Sequence, residues 1–318
     1  GYLEALNEAL MEEMARDESI VLIGENIRGG FRPEARGIEE AFGSNRIIDM
    51  PISEAAMTGI ATGQALAGGR PVVHFQVSSL IFPAFDQLVN QAAKLPLMLG
   101  GQGHIAATYL VMGCGASGGR AGQHSDSPHA YLVHAGIKSV APATPADAKG
   151  LLLSALRDPD PVAVFVPAIA GAITGPVDDP AAAIPLGQGV TRREGGDVTI
   201  VAVGHMVRDA LAVAENLAGD GIEARVWDPR SLLPLDRDGL ASAVAATGRV
   251  VLFDDTARSC GIAAELAATI AERCHGALSA PLRRVTRGET TLPYSAPLEA
   301  EVLPNRYHLE AAVRELVC

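Results

Sequence analysis

Apolar residues recur in two different patterns along the first half of the chain. Leu3, Leu6, Leu10 and Met14 follow one another at helical spacing and predict an N-terminal amphipathic helix rather than a signal peptide. Short apolar runs predict buried strands, and periodic segments between them predict helices. The strands are expected at residues 19–24, 46–49, 71–76, 105–112, 138–141 and 162–166, and the helices at 55–63, 83–95 and 145–157. This alternation is typical of a parallel sheet wrapped in helices.

The alternation stops at residues 167–195, which contain four prolines and few periodic apolar positions. Beyond this stretch, the pattern predicts strands at 198–203, 223–227 and 249–253, with helices from Met206, at 263–274 and ending near Leu316. A length of 318 residues also favours two domains over one. We therefore expect an α/β protein with a first domain at 1–180, a linker at 181–195 and a second α/β domain at 196–318.

Composition narrows the classes of function. Hydrophobic residues make up 48% of the chain and charged residues 19%, which is enough for a sizeable core. The net charge of −12 disfavours nucleic acid as a partner, because phosphates would be repelled. No apolar run reaches the length needed to cross a membrane. The four cysteines lack metal-like or CxxC spacing, so we expect reduced thiols in a cytoplasmic protein (Cys114, Cys260, Cys274 and Cys318).

The stretch from Asp49 to Glu54 joins a predicted strand to a predicted helix. Ser53 occupies the expected N-cap position, and Glu54 falls in the first helical turn. A glutamate there can simply complement the helix dipole. However, strand-to-helix turns of α/β sheets are where ligands usually bind. The helix also contains small residues such as Gly59 and Gly63, which allow another backbone to approach and predict a crowded, buried junction.

Eight stretches together resemble the beta subunit of the thiamine-dependent 2-oxo acid dehydrogenases, the first component of pyruvate, branched-chain and acetoin dehydrogenase complexes. Their order and spacing carry the resemblance over nearly the whole chain. They are LIGE at 22–25, PISEA at 51–55, IFPAFDQ at 81–87, QAAK at 91–94, GQHS at 122–125, DAKGLL at 147–152, RDPDPV at 157–162 and DPRSLLPLD at 228–236.

The resemblance implies a transketolase-like pyrimidine-binding domain followed by a transketolase C-terminal-like domain. It also implies thiamine diphosphate held between this chain and an alpha subunit in an alpha2-beta2 heterotetramer, with Mg²⁺ bound by the partner chain. The implied reaction is oxidative decarboxylation of a 2-oxo acid, or cleavage of acetoin, with acyl transfer to a lipoyl group of an acyltransferase component.

Two residues carry the catalytic roles that the resemblance implies. Glu54 stands where a carboxylate hydrogen-bonds the pyrimidine N1′ and so promotes removal of the thiazolium C2 proton. His124 stands where a histidine serves in proton and acyl transfer, which suits imidazole near neutral pH. From its sequence context alone, a lone histidine in a glycine-bordered loop indicates a surface or structural residue. The other seven histidines carry no motif and are interpreted as structural.

Further site residues follow from the same resemblance. Glu25 ends the first strand, where it belongs either to a proton relay near the cofactor or to an ordinary strand end. Val77 and Leu80 stand where family members usually have aromatic residues that line the pyrimidine pocket, so this chain has less stacking surface. A helix end at 155–160 resembles a site that binds K⁺ through backbone carbonyls, although such carbonyls are otherwise simply solvated. Its ligands would be Ala155, Leu156, Asp158 and Asp160.

One further match to a known motif is rejected. Gly219-Asp220-Gly221 looks like the start of the motif that binds the magnesium and diphosphate of thiamine diphosphate. Here a predicted helix precedes it, a predicted strand follows, and no asparagine occurs between Asn216 and Asn305. We interpret it as a helix-to-strand turn with a glycine C-cap.

Other interpretations of the chain remain open at this point. A thiamine-dependent carboligase or transketolase-like half-enzyme would use the same cofactor without lipoate. A non-catalytic scaffold subunit would explain the substitutions at Val77 and Leu80, although it would leave Glu54 and His124 without a role. A Rossmann-type nucleotide binder is disfavoured, because no GxGxxG follows a strand and opens a helix.

Overall fold

A computed structural model describes residues 1–116, 118–120, 122–178 and 182–317. The chain forms two compact units. The first contains Gly1–Gly115 and Gln123–Leu186, and the second contains Ala116–Gly122 and Gly187–Cys318. The predicted domain boundary between residues 180 and 181 lies outside the described residues.

The first unit alternates strands and helices, as the apolar pattern predicts. Its strands are β1 (Ile20–Gly24), β2 (Ile47–Asp49), β3 (Arg70–Phe75), β4 (Thr108–Cys114), β5 (Lys138–Val140) and β6 (Val162–Pro167). Its helices are α1 (Tyr2–Arg16), α2 (Ile38–Phe42), α3 (Glu54–Leu66), α4 (Leu95–Met98), α5 (His129–His134) and α6 (Pro145–Arg157).

These six strands lie side by side in the order β5-β6-β4-β3-β1-β2, and each neighbouring pair is parallel. Strands β1, β4 and β6 are apolar runs buried along nearly their whole length, as expected for a sheet covered on both faces. Because all six strands run the same way, their carboxyl ends meet at one edge of the sheet. That edge is where an α/β fold usually binds its ligand.

The core of the first unit combines residues of α1 and α6 with residues of the sheet strands, such as Val72 of β3 and Leu110 of β4. Leu6, Leu10 and Met14 of α1 pack in one cluster with Leu151 and Leu152 of α6. The cluster confirms the helical spacing that these α1 residues show in the sequence.

A buried ion pair accompanies this apolar contact. Lys149 of α6 is 2% exposed and reaches Glu8 at 3.0 Å and Glu12 at 2.7 Å on α1. An ammonium this deeply buried needs such partners, because desolvating an unpaired charge is costly.

The helix predicted at 83–95 is wrong as a single element. A 3₁₀ helix runs over Ser78–Ala84, a π-helical turn over Gln87–Ala92, and α4 follows as a separate short helix. The wide turn is visible in the bond from the Ala93 amide to the Leu88 carbonyl at 3.0 Å. Apolar spacing over so few residues does not distinguish turns of 3.0, 3.6 and 4.4 residues.

Helix α3 forms where the sequence predicts it, but its surroundings differ in two ways. Ser53 occupies the N-cap position, yet its side chain makes no capping hydrogen bond. The sequence predicts a buried junction along α3, but only some of its residues are buried within this chain. Met57 and Ala61 are buried, whereas Ala56 and Gly63 are exposed.

The second unit is also α/β. Its strands are β7 (Val190–Arg193), β8 (Val198–Ala202), β9 (Ala224–Asp228), β10 (Ser231–Leu233), β11 (Val250–Ala257) and β12 (Arg283–Arg287). Its helices are α7 (Met206–Gly219), α8 (Arg237–Ala245), α9 (Ile262–Cys274), α10 (Ala296–Val302) and α11 (Arg306–Val317). Five strands form a sheet in the order β12-β11-β8-β9-β7, parallel except for the β7–β9 pair.

The sole tryptophan of the chain packs inside this second unit. Trp227 lies on β9 and is 3% exposed. A Cβ added to Gly189 would collide with its indole ring, so only glycine lets the chain pass so close.

Other expectations from the sequence can be compared directly. Helix α7 ends at Gly219, Gly221 adopts φ +80°, and β9 follows, which confirms the helix-to-strand turn. No helix among the described residues is long and apolar enough to cross a membrane. Cys114, Cys260 and Cys274 form no disulfide bond within the described part of the chain, and Cys318 lies outside it.

Candidate cofactor site at the carboxyl edge of the first sheet

Glu54 opens α3 just after the carboxyl end of β2. Its side chain is buried, with 7% of the residue exposed, and the Thr58 hydroxyl donates to its backbone carbonyl at 2.8 Å. Within the described residues, no hydrogen bond reaches its carboxylate. A buried carboxylate at a helix start is stabilised by the dipole, and this one keeps its oxygens free for a ligand.

Glu25 follows β1 at the same edge of the sheet and is equally buried, at 7% exposed. Its Oε1 atom has no hydrogen-bond partner among the described residues. Burial, and next the Glu54 carboxylate, raise the pKa of Glu25 above its ordinary value, while His74 and Arg32 oppose them. The effect of the Glu54 charge on Glu25 indicates that the two carboxylates lie near each other, while their roles at the cofactor stay predictions.

The loops around these two carboxylates are fixed by the neighbouring strands. Asp49, the last residue of β2, accepts from the Ile27 amide at 2.9 Å and so orders the chain after Glu25. The Met50 amide donates to Gly24 at 2.8 Å, which ties the turn before α3 to β1. The two glutamates are therefore carried on backbone segments that are bonded to each other.

A buried histidine–glutamate pair lies at this edge and was missed in the sequence. His74, on β3, places Nε2 at 2.7 Å from Glu34 Oε1, and the two residues are 1% and 2% exposed. Burial alone would raise the pKa of Glu34, but the hydrogen bond and charge of His74 hold it below its ordinary value. The available signal was a titratable residue inside an otherwise apolar strand.

Arg32 and Gln76 connect that pair to Glu25. The Arg32 guanidinium donates to the Gln76 side chain, and Gln76 Nε2 donates to the Glu25 backbone carbonyl at 2.6 Å. Arg32, Gln76 and the His74–Glu34 pair thus form a polar wall of the site, in which each ionisable group has a charged or hydrogen-bonded neighbour.

Val77 and Leu80 lie at the start of the 3₁₀ helix and are both half-buried. The Leu80 amide donates to Val77 at 3.0 Å, which places the two residues on one turn. Val77 directly follows Gln76 in the chain, and its place in a pyrimidine pocket together with Leu80 stays a prediction.

His124 lies on a separate, exposed 3₁₀ turn, Gly122–His124. Within the described residues its side chain forms no hydrogen bond or ion pair, so the structure does not join it to Glu54. The turn is nevertheless fastened near Val77 through the next residues. Asp126 accepts from the Ser78 hydroxyl through its backbone at 2.6 Å, and its carboxylate accepts from Ser79 at 3.4 Å.

Known proteins place this geometry in a family. The transketolase pyrimidine-binding domain family matches residues 1–171, and the transketolase C-terminal domain family matches residues 187–309. The beta subunit of an acetoin:2,6-dichlorophenolindophenol oxidoreductase from Bacillus subtilis is 37% identical, with 99% of this chain and 96% of that protein covered. The chain belongs to this family of beta subunits.

Other members of the family are named for different activities. The 2-oxoisovalerate dehydrogenase beta subunit of Bacillus subtilis is 36% identical, with 99% of this chain and 98% of that protein covered. A mitochondrial pyruvate dehydrogenase E1 beta subunit of Oryza sativa is 38% identical, with 95% of this chain and 82% of that protein covered. These names agree with the dehydrogenase interpretation of the sequence and do not favour the carboligase or scaffold alternatives.

A solved structure has the same fold as this chain. A split-gene transketolase described as an inactive beta4 tetramer has a TM-score of 0.81 at 24% identity, with 99% of this chain and 97% of that chain covered. The two transketolase-type domains expected from the sequence are thereby confirmed.

The site residues suit thiamine diphosphate, the cofactor that this family implies. A buried carboxylate oxygen without a protein partner, such as Glu25 Oε1, is expected to bond a ligand or water. Glu54 beside it offers the acceptor that a protonated pyrimidine nitrogen needs. The described residues contain no group of three or more metal-ligating side chains.

The helix end expected to bind K⁺ is already occupied by protein donors. Arg70 donates to the carbonyls of Leu156 at 3.0 Å and Asp158 at 3.1 Å. Lys138 reaches the carboxylates of Asp158 at 2.7 Å and Asp160 at 2.9 Å.

The remaining carbonyl of this set, that of Ala155, accepts from the Thr108 hydroxyl at 3.2 Å. The donors therefore do not match an open cation site, and K⁺ binding stays a prediction.

Proposed function

We propose that the chain is the beta subunit of a thiamine-diphosphate-dependent 2-oxo acid or acetoin dehydrogenase that is active with an alpha subunit. The observation that carries the proposal is the buried Glu54–Glu25 pair at the carboxyl edge of the pyrimidine-binding domain. The family relationship supplies the class of reaction. When bound, thiamine diphosphate would provide the carbon nucleophile and the electron sink for decarboxylation.

Glu54 is proposed to accept a hydrogen bond from the pyrimidine N1′ atom. Most of the Glu54 residue is buried, so a ligand that covered the remaining surface would shield this bond from water and strengthen it. That bond would favour the imino tautomer of the cofactor's aminopyrimidine, whose exocyclic nitrogen would then be the base toward the reacting carbon.

Glu25 is proposed to hold a proton next to Glu54. Because its pKa is raised, Glu25 stays neutral to a higher pH than an ordinary glutamate. The negative charge of Glu54 favours the neutral form of Glu25, so Glu25 is proposed to return a proton when that charge changes.

His124 is proposed to act on the substrate side, at the step that passes the acyl group to a lipoyl domain. Its exposed turn is open to a large partner domain, and its attachment through Asp126 to Ser78 keeps the turn near Val77 and Leu80. The same two aliphatic residues would border the acyl group, and their smaller size leaves room for a branched or longer one.

The remaining partners follow the family. The alpha subunit is proposed to bind Mg²⁺ and the diphosphate, because Gly219–Gly221 of this chain is a helix-to-strand turn and not a metal motif. A heterotetramer of two alpha and two beta subunits and a lipoyl acyltransferase component complete the proposal. Location in the cytoplasm stays a prediction, since two plant relatives are named mitochondrial.

The test is Glu54→Gln in the chain reconstituted with its alpha subunit. Loss of the carboxylate should lower turnover of pyruvate, branched-chain 2-oxo acids or acetoin by at least about a hundredfold. The far-UV circular dichroism spectrum should be unchanged. The matched control is Glu40→Gln, at an exposed position on α2.

Turnover of Glu54→Gln equal to that of Glu40→Gln would contradict the assigned role of the carboxylate. Thiamine diphosphate titration of the reconstituted pair gives a second measurement. A pair that binds none of it would show that the chain is a scaffold.

A further inference from the structure

The second unit contains a pocket with an arginine-rich lining. Its volume is about 580 Å³, and it lies between helix α9 and the edge strand β12. Ala264 and Ala267 of α9 and Leu282 form its apolar part. Arg258, Arg283 and Arg284 form its charged part. The volume is in the range of small-molecule sites, and the pocket is more open to solvent than enclosed.

Two of these arginines hold each other in place. Arg284 donates from Nη1 to the Arg258 carbonyl at 2.9 Å, and Arg258 donates from Nη1 to the Arg284 carbonyl at 3.4 Å. The Arg258 amide also donates to Arg287 at 3.1 Å, which anchors the turn after β11 to β12. Each guanidinium uses its Nη1 atom for one of these hydrogen bonds and has further N–H donors available.

The charges of this pair are not neutralised by the protein. Among the described residues, neither Arg258 nor Arg284 forms an ion pair. Arg283 meets Glu315 at 3.5 Å, but both side chains of that pair are about half exposed or more (45% and 65%). Three cations with one screened carboxylate partner are unusual in a chain of net charge −12.

Protection of the sheet edge accounts for only part of this arrangement. Edge strands often carry charges that prevent pairing with other chains, and β12 is an edge strand. Arg258, however, is not on β12. Its guanidinium is fixed on a backbone carbonyl, whereas a charge that only solubilises an edge gains nothing from being fixed.

We propose that this pocket binds a small ligand carrying a diphosphate or a similar multivalent oxyanion. Anchored guanidinium groups are well suited to phosphate oxygens, because their planar array of donors can bind two oxygens at once. Anchoring before the ligand arrives reduces the entropy lost on binding. The alanines and Leu282 give room for an uncharged part of the ligand on the apolar side.

The experiment is isothermal titration calorimetry of the full chain with inorganic pyrophosphate, at two salt concentrations. The alpha subunit is omitted, so the result does not depend on the proposed dehydrogenase function. Wild type should bind, and binding should weaken as salt rises. Arg258→Gln with Arg284→Gln should weaken binding at least tenfold.

The matched control is Arg273→Gln. Arg273 lies on α9, the helix that borders the pocket, but it pairs with Asp238 and does not line the pocket. This variant should bind pyrophosphate as wild type does. Ala267→Phe fills the pocket without changing charge and should also weaken binding, so the test survives if the double variant fails to fold.

Two results would overturn the proposal. One is the absence of pyrophosphate binding by folded wild type. The other is equal binding by wild type, the double variant and Ala267→Phe. Anionic vesicles of phosphatidylglycerol and a hexaglutamate peptide are run in parallel; binding of either one in place of pyrophosphate would assign the arginines to a membrane surface or a protein partner and refute the small-ligand site.

Discussion

Two glutamates with neighbouring carboxylates have different electrostatic surroundings in this chain. Glu54 sits at a helix start, where the dipole favours its charge. Glu25 sits at a strand end, where burial and Glu54 itself disfavour a charge. A carboxyl group whose pKa is raised by burial and by a neighbouring carboxylate is common at functional sites.

Replacing Glu25 should change how stability depends on pH. A raised pKa means that the folded state binds the proton more tightly than the unfolded state. Wild-type stability therefore falls as pH rises from the ordinary value of 4.5 through the raised value, and it stays lower above that window. Glu25→Gln imitates the neutral form, so it should be more stable than wild type at pH 8.

Urea unfolding at pH 4, 6 and 8 measures this effect. The advantage of Glu25→Gln should shrink as pH falls through the raised value toward 4.5 and should be absent below 4.5, because wild-type Glu25 is then neutral in both states. Glu40→Gln, on the surface of α2, serves as the control. A difference between Glu25→Gln and wild type that is constant across pH would show that Glu25 does not titrate as inferred.

Some residues of the candidate site could be predicted from the sequence, and others could not. Glu54 and Glu25 were predictable because each follows an apolar strand, and parallel strands bring their ends together. The His74–Glu34 contact was not predictable, because it joins a strand to a short 3₁₀ turn 40 residues away in sequence. The fastening of the His124 turn through Asp126 likewise depends on tertiary placement that apolar spacing does not encode.

At the scale of elements, two helices of the first unit begin with hydroxyl residues that do different things. Thr144 and Asp147 form a capping box at α6, in which the Thr144 hydroxyl accepts from the Asp147 amide at 3.1 Å. Ser53 at α3 makes no such bond, although the sequence suggested the same role for it. The difference leaves the first turn of α3 less constrained next to the proposed cofactor site.

This contrast predicts unequal effects of two matched substitutions. Thr144→Ala should lower the free energy of unfolding by about 1 kcal/mol, because an orphan helix amide loses its partner. Ser53→Ala should change it by less than about 0.5 kcal/mol. Urea denaturation followed by circular dichroism measures both, and equal losses would show that Ser53 does cap α3 in solution.

The first turn of α9 in the second unit is hydrogen-bonded to a buried aspartate, Asp254, whose pKa is raised. Asp254 is fully buried and accepts from the Ala263 amide at 3.0 Å. Burial, and next the charge of Asp255, raise the pKa of Asp254 to about 6. Because the folded state holds the proton more tightly, stability falls as pH rises from 3.8 to about 6.

Asp255→Asn should reduce that loss. Without the neighbouring charge, the pKa of Asp254 moves back toward 3.8, and the pH-dependent part of its stability shrinks. The whole wild-type effect amounts to about 3 kcal/mol at most. Melting temperatures measured between pH 4 and 7 give the comparison, and a wild-type-like slope in Asp255→Asn would contradict this account.

The alternation of strands and helices in the first unit was predictable from apolar runs of four to eight residues separated by helical periods. In the second unit the central strands were predictable, whereas β7, β10, β12, α8 and α10 were not. The region after β3 failed because its 3₁₀, π and α turns succeed one another within 21 residues, from Ser78 to Met98. No turn there is long enough for its period to be recognised.

At the scale of the whole molecule, the isolated chain has apolar surface that a soluble monomer would normally cover. Ile60 and Leu66 on α3 are 50% and 43% exposed, and Leu97 and Met98 on α4 are 85% and 72% exposed. Small residues such as Gly63 are exposed on the same helix as Ile60. Surfaces of this kind mark protein interfaces, which fits the proposed assembly with other subunits.

A charge placed on α3 should impair that assembly. Ile60→Glu should prevent or strongly reduce formation of the alpha2-beta2 heterotetramer, because an unpaired carboxylate would be buried in the interface. Size-exclusion chromatography with light scattering measures the assembly. Tyr307→Glu on α11, at an 83% exposed position, is the control and should assemble normally. Complete assembly of Ile60→Glu would place the interface elsewhere.

The single buried tryptophan of the second unit makes the two halves of the chain optically distinguishable. Emission from Trp227 reports on loosening around β9 alone, whereas the far-UV signal averages over every helix in the chain. Heating curves that coincide in both signals would mean that the halves melt as one cooperative body. Curves that separate would give each half its own melting temperature without any added label.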